Sequence, residues 1–415
     1  MRMIEPGYHA IIQKLGGEHI RVCELRRKRM ILIEKLRFNI DGAFNQPFGL
    51  FEVSAGELTR TYEGTPIAAE EIDDLGSGNS DNNLKTEASS MESNTVPCSS
   101  SEDDARNVAQ VRQRLTQQEI AQMKNTGVSA GELVAKLVDG NVAFSERTVY
   151  AKSKYIRRKT KKHSDRVLIL KPTIRLIAES YYKKDAERIA NLRTDMLSQI
   201  LLLGGVRSGC RCVVFEQCLG LLTAAIMDRL GGEGACVHIH RGLIAQAIPC
   251  IQSMDFDAKI YSTFLPLRIT TLLNGTIEEN EEKADATNRE NTAQSEATLA
   301  RKADRLNREK TAWQLLNSQQ MDCLFIAVKG VDPVDVLQRT WRFLRLASTV
   351  LIYSPICEPL MSSYTWLKAN GAVHVQMRDS FQRSYQVLSE STHPVMQQLI
   401  AAGFILSAVK VTPPL

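Results

Sequence analysis

Apolar and polar residues alternate over short distances between residues 8 and 62. A Gly-Gly hairpin signal at 16–17 is followed by three apolar stretches with Asp-Gly and Gln-Pro turn signals between them: Ile20 to Leu25, Met30 to Leu36 and Leu50 to Val53. Strands of this length, bounded by Gly, Pro and Asp, are typical of small antiparallel domains. We therefore predict an N-terminal β-barrel-like domain over residues 1–74.

Large apolar side chains nearly disappear in residues 75–105. Ser, Asn, Asp and Glu dominate this stretch, which cannot bury enough apolar surface to offset the entropy of ordering the chain. We predict a disordered, acidic and Ser-rich linker.

Two capping-box patterns mark helix starts after the linker. In Thr116-Gln-Gln-Glu119 and Ser129-Ala-Gly-Glu132, a hydroxyl and a carboxylate three residues apart satisfy free amide groups at the start of a helix. A basic run follows at residues 152–166, with eight Lys or Arg and one acidic residue. We assign residues 106–165 to a helical segment with a basic arm.

Strand and helix patterns alternate from residue 166 to the end of the chain. Such alternation is typical of an α/β fold with a doubly wound, mostly parallel sheet. A polar, charged insertion at about 277–310 interrupts it, and is expected to be either disordered or a solvated helix. The predicted strands are 167–170, 212–216, 235–239, 322–328, 349–353, 373–377 and 404–411.

Composition narrows the class of protein. The chain has 415 residues, 43% of them apolar, which is enough for a sizeable core and two or three domains. No apolar run reaches the roughly 20 residues that span a bilayer, and the first residues lack the apolar core of a signal peptide. Nine cysteines, an odd number in a large chain, are typical of reduced intracellular thiols. We expect no membrane association and a cytosolic or nuclear location.

Residues 212–225 have the outline of a strand, a turn and a helix that hold a nucleotide-like cofactor. Such cofactors need glycines after the first strand and an acidic residue at the end of the second, which binds the ribose hydroxyls. Here the second strand ends in His238-Ile-His240-Arg241, without a carboxylate. We therefore predict a degenerate turn that binds no cofactor, formed by Glu216, Gln217, Cys218 and Gly220.

Three other groups of residues were considered as phosphate-binding, metal-binding or catalytic sites. Lys329 stands at the end of a predicted strand where a base methyltransferase often has a carboxylate or amide, and a cation there suits a phosphate. His238 and His240 share one face of a strand but lack a third ligand, so we predict no metal site. The cysteines around Cys212 lack the usual zinc spacing, and no catalytic triad stands out.

The basic run allows two interpretations. On composition alone it is a solvated helix face or a nuclear localisation signal. Tyr150 and Tyr155 lie between the cations and supply stacking planes beside charges that neutralise phosphates, which favours RNA binding. The residues proposed to bind phosphates are Lys152, Lys154, Arg157, Arg158, Lys159, Lys161 and Lys162.

An ordered set of motifs resembles the non-catalytic subunit of the tRNA adenine-58 N1-methyltransferase. That family also carries a degenerate cofactor turn, and the match covers the chain except for its linkers. The motifs are Phe44-Asn-Gln-Pro-Phe-Gly, Leu115-Thr-Gln-Gln-Glu-Ile, Gly127-Val-Ser-Ala-Gly-Glu, Phe144-Ser-Glu-Arg-Thr-Val-Tyr, Leu170-Lys-Pro-Thr-Ile-Arg, Leu192-Arg-Thr-Asp, Val213-Val-Phe-Glu-Gln-Cys-Leu-Gly, Arg383-Ser-Tyr-Gln-Val-Leu and Ser391-Thr-His-Pro.

The resemblance implies a Rossmann-like methyltransferase domain over residues 166–415 without catalytic residues. It also implies a nuclear α2β2 heterotetramer, in which a homologous catalytic subunit binds S-adenosylmethionine and methylates N1 of adenine-58 in the T-loop while this chain docks the tRNA. The RNA contacts that it implies are Arg112, Arg114, the cations from Lys152 to Lys162 with Tyr155, Lys329, Arg378, Ser380, Arg383 and Tyr385.

Two rival functions stay open at this point. One is an active S-adenosylmethionine-dependent RNA methyltransferase whose pocket uses unusual residues. The other is a general RNA-binding or translation-associated scaffold without a methyltransferase partner. Cofactor binding by the chain alone would favour the first, and purification without a catalytic homologue would favour the second.

Overall fold

A computed structural model describes most of the chain, which divides into two compact units, Met1–Lys171 and Pro172–Leu415. The predicted linker and Arg112 lie outside the described residues. Among those described, no helix combines the length and apolarity needed to cross a membrane. The described ranges are 3–15, 19–34, 36–54, 56–61, 114–126, 128, 130–163, 165–242, 248–277, 296–387, 392–396, 398 and 400–411.

The first unit is built on an antiparallel sheet of short strands, as the alternating pattern predicts. Five strands pair in the order β2-β1-β7-β5-β6, and β3 and β4 form a separate hairpin. Inward-facing residues such as Ile12, Phe38, Phe51 and Ile169 are fully buried and form its core. The strands are β1 (His9–Lys14), β2 (Ile20–Glu24), β3 (Met30–Ile33), β4 (Leu36–Asn39), β5 (Gly49–Ser54), β6 (Glu57–Arg60) and β7 (Arg166–Leu170).

Strand β7 belongs to this sheet, whereas the sequence interpretation assigned it to the Rossmann-like domain. It lies between β1 and β5, with Ile169 opposite Ile12 and Gly49. A short apolar run predicts a strand equally well in either sheet. The second unit therefore begins at Pro172, six residues after the start that the sequence suggested.

In the described part of the chain between β6 and β7 there are three helices: α1 (Gln117–Asn125), α2 (Ala130–Asp139) and α3 (Val149–His163). The first capping box forms as predicted, because the Glu119 carboxylate accepts from the Thr116 amide at 2.8 Å and the Thr116 hydroxyl accepts from the Glu119 amide at 3.3 Å. Ser129 of the second box lies outside the described residues. Helix α3 contains most of the basic run.

The second unit contains a seven-stranded sheet in the order β10-β9-β8-β11-β12-β16-β13. The first five of these strands are parallel, and β16 runs antiparallel to both of its neighbours. This is the doubly wound, mostly parallel sheet that the sequence predicts. The strands are β8 (Arg211–Glu216), β9 (Ala235–His240), β10 (Phe264–Arg268), β11 (Met321–Ala327), β12 (Leu344–Ser354), β13 (Ala372–Phe381), β14 (Tyr385–Val387), β15 (Thr392–Pro394) and β16 (Ala401–Lys410).

Strand β10 was not predicted from the sequence. Its third residue, Pro266, argues against a strand because proline cannot donate to a sheet ladder. Strand β10 lies at the edge of the described sheet beside β9, where Pro266 is opposite His238. An edge strand tolerates proline on its open side, so this position is compatible with the fold.

Helices connect the strands of the second unit. The end of the charged insertion forms the first part of α10, and its described side chains from 300 to 310 are exposed or half-buried except Glu309, close to the solvated helix that the sequence allowed. Buried Ala312 and Leu316 follow the insertion on the same helix. Asp195 lies in the first turn of α5 and does not cap it. The helices are α4 (Ile174–Asp185), α5 (Thr194–Leu203), α6 (Leu221–Leu230), α7 (Pro249–Gln252), α8 (Ala258–Tyr261), α9 (Ile269–Asn274), α10 (Glu296–Asn317), α11 (Pro333–Thr340) and α12 (Glu358–Ala369).

Candidate functional site

Gln217 bridges the carboxyl ends of β8 and β11, the two strands at which the chain order of the sheet reverses. In open α/β sheets, ligands bind in the crevice at this point. The backbone nitrogen of Gln217 donates to the Ala327 carbonyl at 2.8 Å. The side-chain oxygen of Gln217 accepts from the backbone amides of Lys329 at 2.8 Å and Gly330 at 3.3 Å. The side chain of Gln217 therefore occupies the mouth of the crevice.

The turn after Gln217 is covered by another part of the same chain. Leu219 and Gly220 both have positive φ, of 58° and 79°. A Cβ on Gly220 would lie only 3.1 Å from the Cα of Ile248, and the Cys250 amide donates to the Leu219 carbonyl at 3.2 Å. Cys218 is fully buried. An adenosyl cofactor approaching this backbone would have to displace Ile248, so the residues present do not fit it.

The Glu216 carboxylate is hydrogen-bonded to the first turn of helix α6. It accepts from the amides of Leu222 at 3.2 Å and Thr223 at 2.8 Å, and from the Thr223 hydroxyl. Burial raises the pKa of Glu216 despite these hydrogen bonds. This acidic residue therefore stabilises the turn and is not presented to a ligand.

Two histidines end strand β9 where an active enzyme would place a ribose-binding acid. His238 Nδ1 lies 2.8 Å from the Thr223 hydroxyl, and burial, with a smaller contribution from His240, lowers the pKa of His238 to about 3. Burial also lowers the pKa of His240, whose Nδ1 lies 3.3 Å from the Arg241 carbonyl. The described residues contain no cluster of three or more potential metal ligands.

Gly220→Ala is expected to lower the free energy of unfolding by about 2 to 4 kcal/mol. The left-handed backbone costs about 1–2 kcal/mol for an L-residue, and the clash with Ile248 adds about 1–3 kcal/mol. Urea denaturation of the purified chain measures this change. Gly231→Ala is the matched control, because Gly231 ends the same helix with φ 62° and has open space around its Cβ position. Equal losses for the two variants would contradict close packing over the turn.

Lys329 follows the end of β11, as the sequence predicts. Its ammonium lies 3.0 Å from the Glu187 carboxylate, and both side chains are exposed. An exposed ion pair contributes at most about 1 kcal/mol. Lys329 is therefore accessible to a phosphate that competes with Glu187.

Tyr155 packs helix α3 onto helix α2. Its ring lies 5.6 Å from that of Phe144, and its hydroxyl donates to the Leu137 carbonyl at 3.3 Å. The Arg147 guanidinium and the Lys159 ammonium lie 5.0 and 5.3 Å from the ring centre. The structure thus gives Tyr155 a packing role, and its predicted contact with RNA stays a prediction.

The basic helix has a packed side and an exposed side. Ile156 and His163 are buried, and Lys152 lies 5.9 Å from the Phe144 ring. Burial, together with the charge of Arg158, lowers the pKa of Lys159. Lys154 and Arg158, one helical turn apart, are exposed on the other side. The side chains of Tyr150, Arg157, Lys161 and Lys162 lie outside the described residues.

The C-terminal candidates differ in their surroundings. Arg378 donates to the Ser407 hydroxyl at 3.0 Å and to the Gln376 side chain. The Ser380 hydroxyl donates to the Asp195 carboxylate at 2.6 Å, inside a network with the buried Arg193, which also binds Asp195 and the Ile400 carbonyl. Ser380 therefore has an internal role that the sequence did not predict.

Arg114, Arg383 and Tyr385 are exposed on the described surface. The Arg114 amide donates to the Gly140 carbonyl at 2.9 Å, which fixes the start of the helical segment beside the end of α2. The predicted RNA-binding residues that the structure describes belong to both units: Arg114 and those of α3 to the first, and those after β11 and along β13 and β14 to the second.

The role of Ile248 and the double bridge made by Gln217 were not predicted from the sequence. Both depend on contacts between residues far apart in the chain, with Ile248 following the turn by 28 positions. Glutamine in place of a turn glycine was the one available signal, because an amide side chain can satisfy free backbone groups at a strand end.

These features define the second unit as a Rossmann-like methyltransferase fold whose cofactor turn is occupied by its own side chains. A crystal structure of a SAM-dependent O-methyltransferase from Thermotoga maritima has the same fold, with a TM-score of 0.52 at 10% identity, covering 99% of this chain and 96% of that chain. The family model of the Gcd10p family matches residues 3–302. The chain belongs to the Gcd10p family.

Two relatives match nearly the whole chain. One is the tRNA (adenine(58)-N(1))-methyltransferase non-catalytic subunit trm6 of Dictyostelium discoideum, 29% identical over 442 residues, covering 100% of this chain and 80% of that protein. The other is the corresponding subunit TRM6 of Mus musculus, 26% identical over 451 residues, covering 94% and 85%. The family resemblance noted in the sequence is confirmed.

Proposed function

We propose that this chain is the non-catalytic, RNA-binding subunit of the tRNA (adenine-58-N1)-methyltransferase. The observation that carries the proposal is the occupied turn, in which Gln217 bridges the strand ends and Ile248 covers Gly220. A fold with this turn keeps the methyltransferase architecture without a place for the methyl donor. Membership of a family whose relatives are named as non-catalytic subunits supports the same function.

The proposed role of the chain is to bind tRNA and to support a homologous catalytic subunit. That subunit binds S-adenosylmethionine and methylates N1 of adenine-58 in the T-loop. The exposed cations of α3 supply the electrostatic attraction to the phosphate backbone. We further propose an α2β2 heterotetramer in the nucleus, as the family resemblance implies.

Co-expression tests the proposed function directly. Neither this chain nor its catalytic homologue alone is expected to transfer a labelled methyl group to adenine-58 of a tRNA transcript, whereas the co-purified complex should do so. Light scattering of the complex should give the mass of two copies of each subunit.

Calorimetry with S-adenosylmethionine distinguishes this function from an active enzyme. The purified chain is expected to give no binding heat, and the complex should bind one cofactor for each catalytic subunit. Cofactor binding by this chain alone would contradict the proposal. Full methylation by the catalytic homologue alone would contradict the supporting role.

A further inference from the structure

The two ends of the arm, residues 381–400 between β13 and β16, are held by one buried arginine. Arg193, which precedes α5, donates through Nη1 to the Ile400 carbonyl at 2.8 Å and through Nη2 to the Ser380 carbonyl at 3.3 Å. The Asp195 carboxylate accepts from the same guanidinium at 2.6 and 2.9 Å, and from the Ser380 hydroxyl at 2.6 Å. Because a guanidinium donates in a fixed planar fork, both ends of the arm have a set position relative to α5.

The described part of the arm is a hairpin with hydrogen bonds of its own. Strands β14 and β15 pair antiparallel. The Gln398 side chain accepts from the Ser384 amide at 2.7 Å and donates to the carbonyls of Ser384 at 3.0 Å and Val395 at 2.7 Å. The hairpin is therefore braced within itself, and the guanidinium of Arg193 connects its two ends to α5.

The surface of the arm is apolar and nearly uncharged. Phe381 and Val387 are each 74% exposed, Met396 is 87% exposed, and Tyr385 is 54% exposed. Residues 381–400 contain one arginine and one glutamate, and no lysine or aspartate. Binding to a phosphate backbone depends on cations, whereas large exposed apolar side chains without charges are typical of protein interfaces. The arm therefore suits a protein partner.

We propose that the arm binds the catalytic methyltransferase subunit and that Arg193 is a positioning residue for this assembly. Arg193 is only 6% exposed, so it acts on the partner through Ser380 and Ile400, whose carbonyls set the direction in which the arm leaves the sheet. This inference rests on the proposed function and deepens it, because it names the surface on which the partner binds. It departs from the RNA contact that the family resemblance implies for Arg383 and Tyr385.

The apolar character of the arm favours the catalytic subunit over a transient partner. The proposed function requires a lasting contact between this chain and a catalytic chain. Lasting interfaces are more hydrophobic than transient ones, and the exposed side chains of Phe381, Val387 and Met396 are of that kind. The arm also belongs to the unit that has the methyltransferase fold.

Titration of the catalytic homologue into the full chain tests the arm. The double variant Phe381→Ser with Met396→Ser is expected to weaken association at least about tenfold by calorimetry, because it removes two exposed apolar contacts, and to leave the midpoint of urea denaturation unchanged. Leu346→Ser is the matched control and should associate like the wild type. Leu346 is 58% exposed near the start of β12, whereas the arm joins β16 beside the end of β12. Wild-type association of the double serine variant would overturn the proposal.

A double-mutant cycle separates positioning from a merely structural role. Arg193→Lys keeps a charge beside Asp195, but an ammonium lacks the fork that reaches both carbonyls, and this variant should weaken association about tenfold. In the Arg193→Lys background the two serine changes should weaken association less than in the wild type, because a misdirected arm no longer makes the contact. Additive losses, or wild-type association of Arg193→Lys, would overturn the positioning role. Should Arg193→Lys not fold, Ser380→Ala removes one bond of the same network and replaces it in the cycle.

The other occupants of the arm give different results. A double serine variant that assembles normally but binds a tRNA transcript about tenfold more weakly would assign the arm to RNA and overturn the inference. A purified wild-type chain that dimerises by light scattering, and loses the dimer in the serine variant, would assign the arm to a second copy and also overturn it. A wild-type chain that does not associate with the catalytic homologue at all would contradict the proposed function as well.

Discussion

Replacing Glu309 with alanine is expected to lower the free energy of unfolding by about 3 to 5 kcal/mol. Glu309 on α10 and Arg268 at the end of β10 are both buried, and the Arg268 Nε lies 2.9 Å from each carboxylate oxygen. The Thr271 hydroxyl donates to the same carboxylate at 2.6 Å. Without the carboxylate, a buried guanidinium loses its counter-charge. Urea denaturation of the purified chain measures the loss.

An exposed pair in the same unit supplies the control. Arg175 Nε lies 2.9 Å from the Glu179 carboxylate one helical turn away, and Arg175 is largely exposed. Glu179→Ala is expected to cost less than about 1 kcal/mol, because water screens such a pair. The double variant Arg268→Met with Glu309→Met removes both buried charges and should recover much of the lost stability. A small loss for Glu309→Ala would contradict the role of the pair in joining α10 to the sheet.

The pH dependence of stability follows from the same pair. Burial raises the pKa of Glu309, but the hydrogen bonds from Arg268 and Thr271 outweigh it and hold the pKa below the ordinary value of 4.5. A carboxylate whose folded-state pKa is depressed stabilises the fold fully above its unfolded pKa, and this contribution is lost as the pH falls through the folded pKa. The stability difference between wild type and Glu309→Gln should therefore shrink below about pH 4.5 and stay constant from about pH 6 to 7.

The fold was predictable wherever local pattern decides it. The apolar runs of β8, β9 and β11 are largely buried and predicted strands within a residue or two of those observed. Strand β10 was missed because Pro266 opposes a strand by its local chemistry, and only its edge position makes it acceptable. Strand β7 was found but assigned to the other sheet, because its pairing partners are more than 100 residues away in the chain.

The degenerate cofactor turn could be predicted from the residues that it lacks. Missing glycines and a missing acid at the end of β9 indicated a degenerate turn, since those residues have a defined task in cofactor binding. What replaces the cofactor was not predictable, because the contact between Gly220 and Ile248 arises from packing. Tyr155 was interpreted as a stacking plane because it lies among cations in the sequence. In the structure its ring packs against Phe144 and its hydroxyl donates to the Leu137 carbonyl, both within the first unit.

Replacing both Lys154 and Arg158 with glutamine is expected to weaken tRNA binding by about tenfold to a hundredfold at moderate salt. The two cations are exposed on one side of α3, and fewer counterions are released on binding when fewer phosphates are neutralised. The slope of log affinity against log salt should fall by about 1.4 to 1.8 for two phosphates. Fluorescence anisotropy with a labelled tRNA transcript at several salt concentrations measures both quantities.

The matched variants separate local charge from helix stability and from overall charge. Glutamine has nearly the helix propensity of lysine and arginine, so α3 should remain folded by circular dichroism. Lys183→Gln with Lys184→Gln removes the same net charge from the exposed end of α4 and should change binding little. If this control weakens binding as much as the α3 variant, the attraction comes from the net charge of the chain. An unchanged salt slope in the α3 variant would remove Lys154 and Arg158 from the RNA interface, because cations that neutralise phosphates necessarily contribute to that slope.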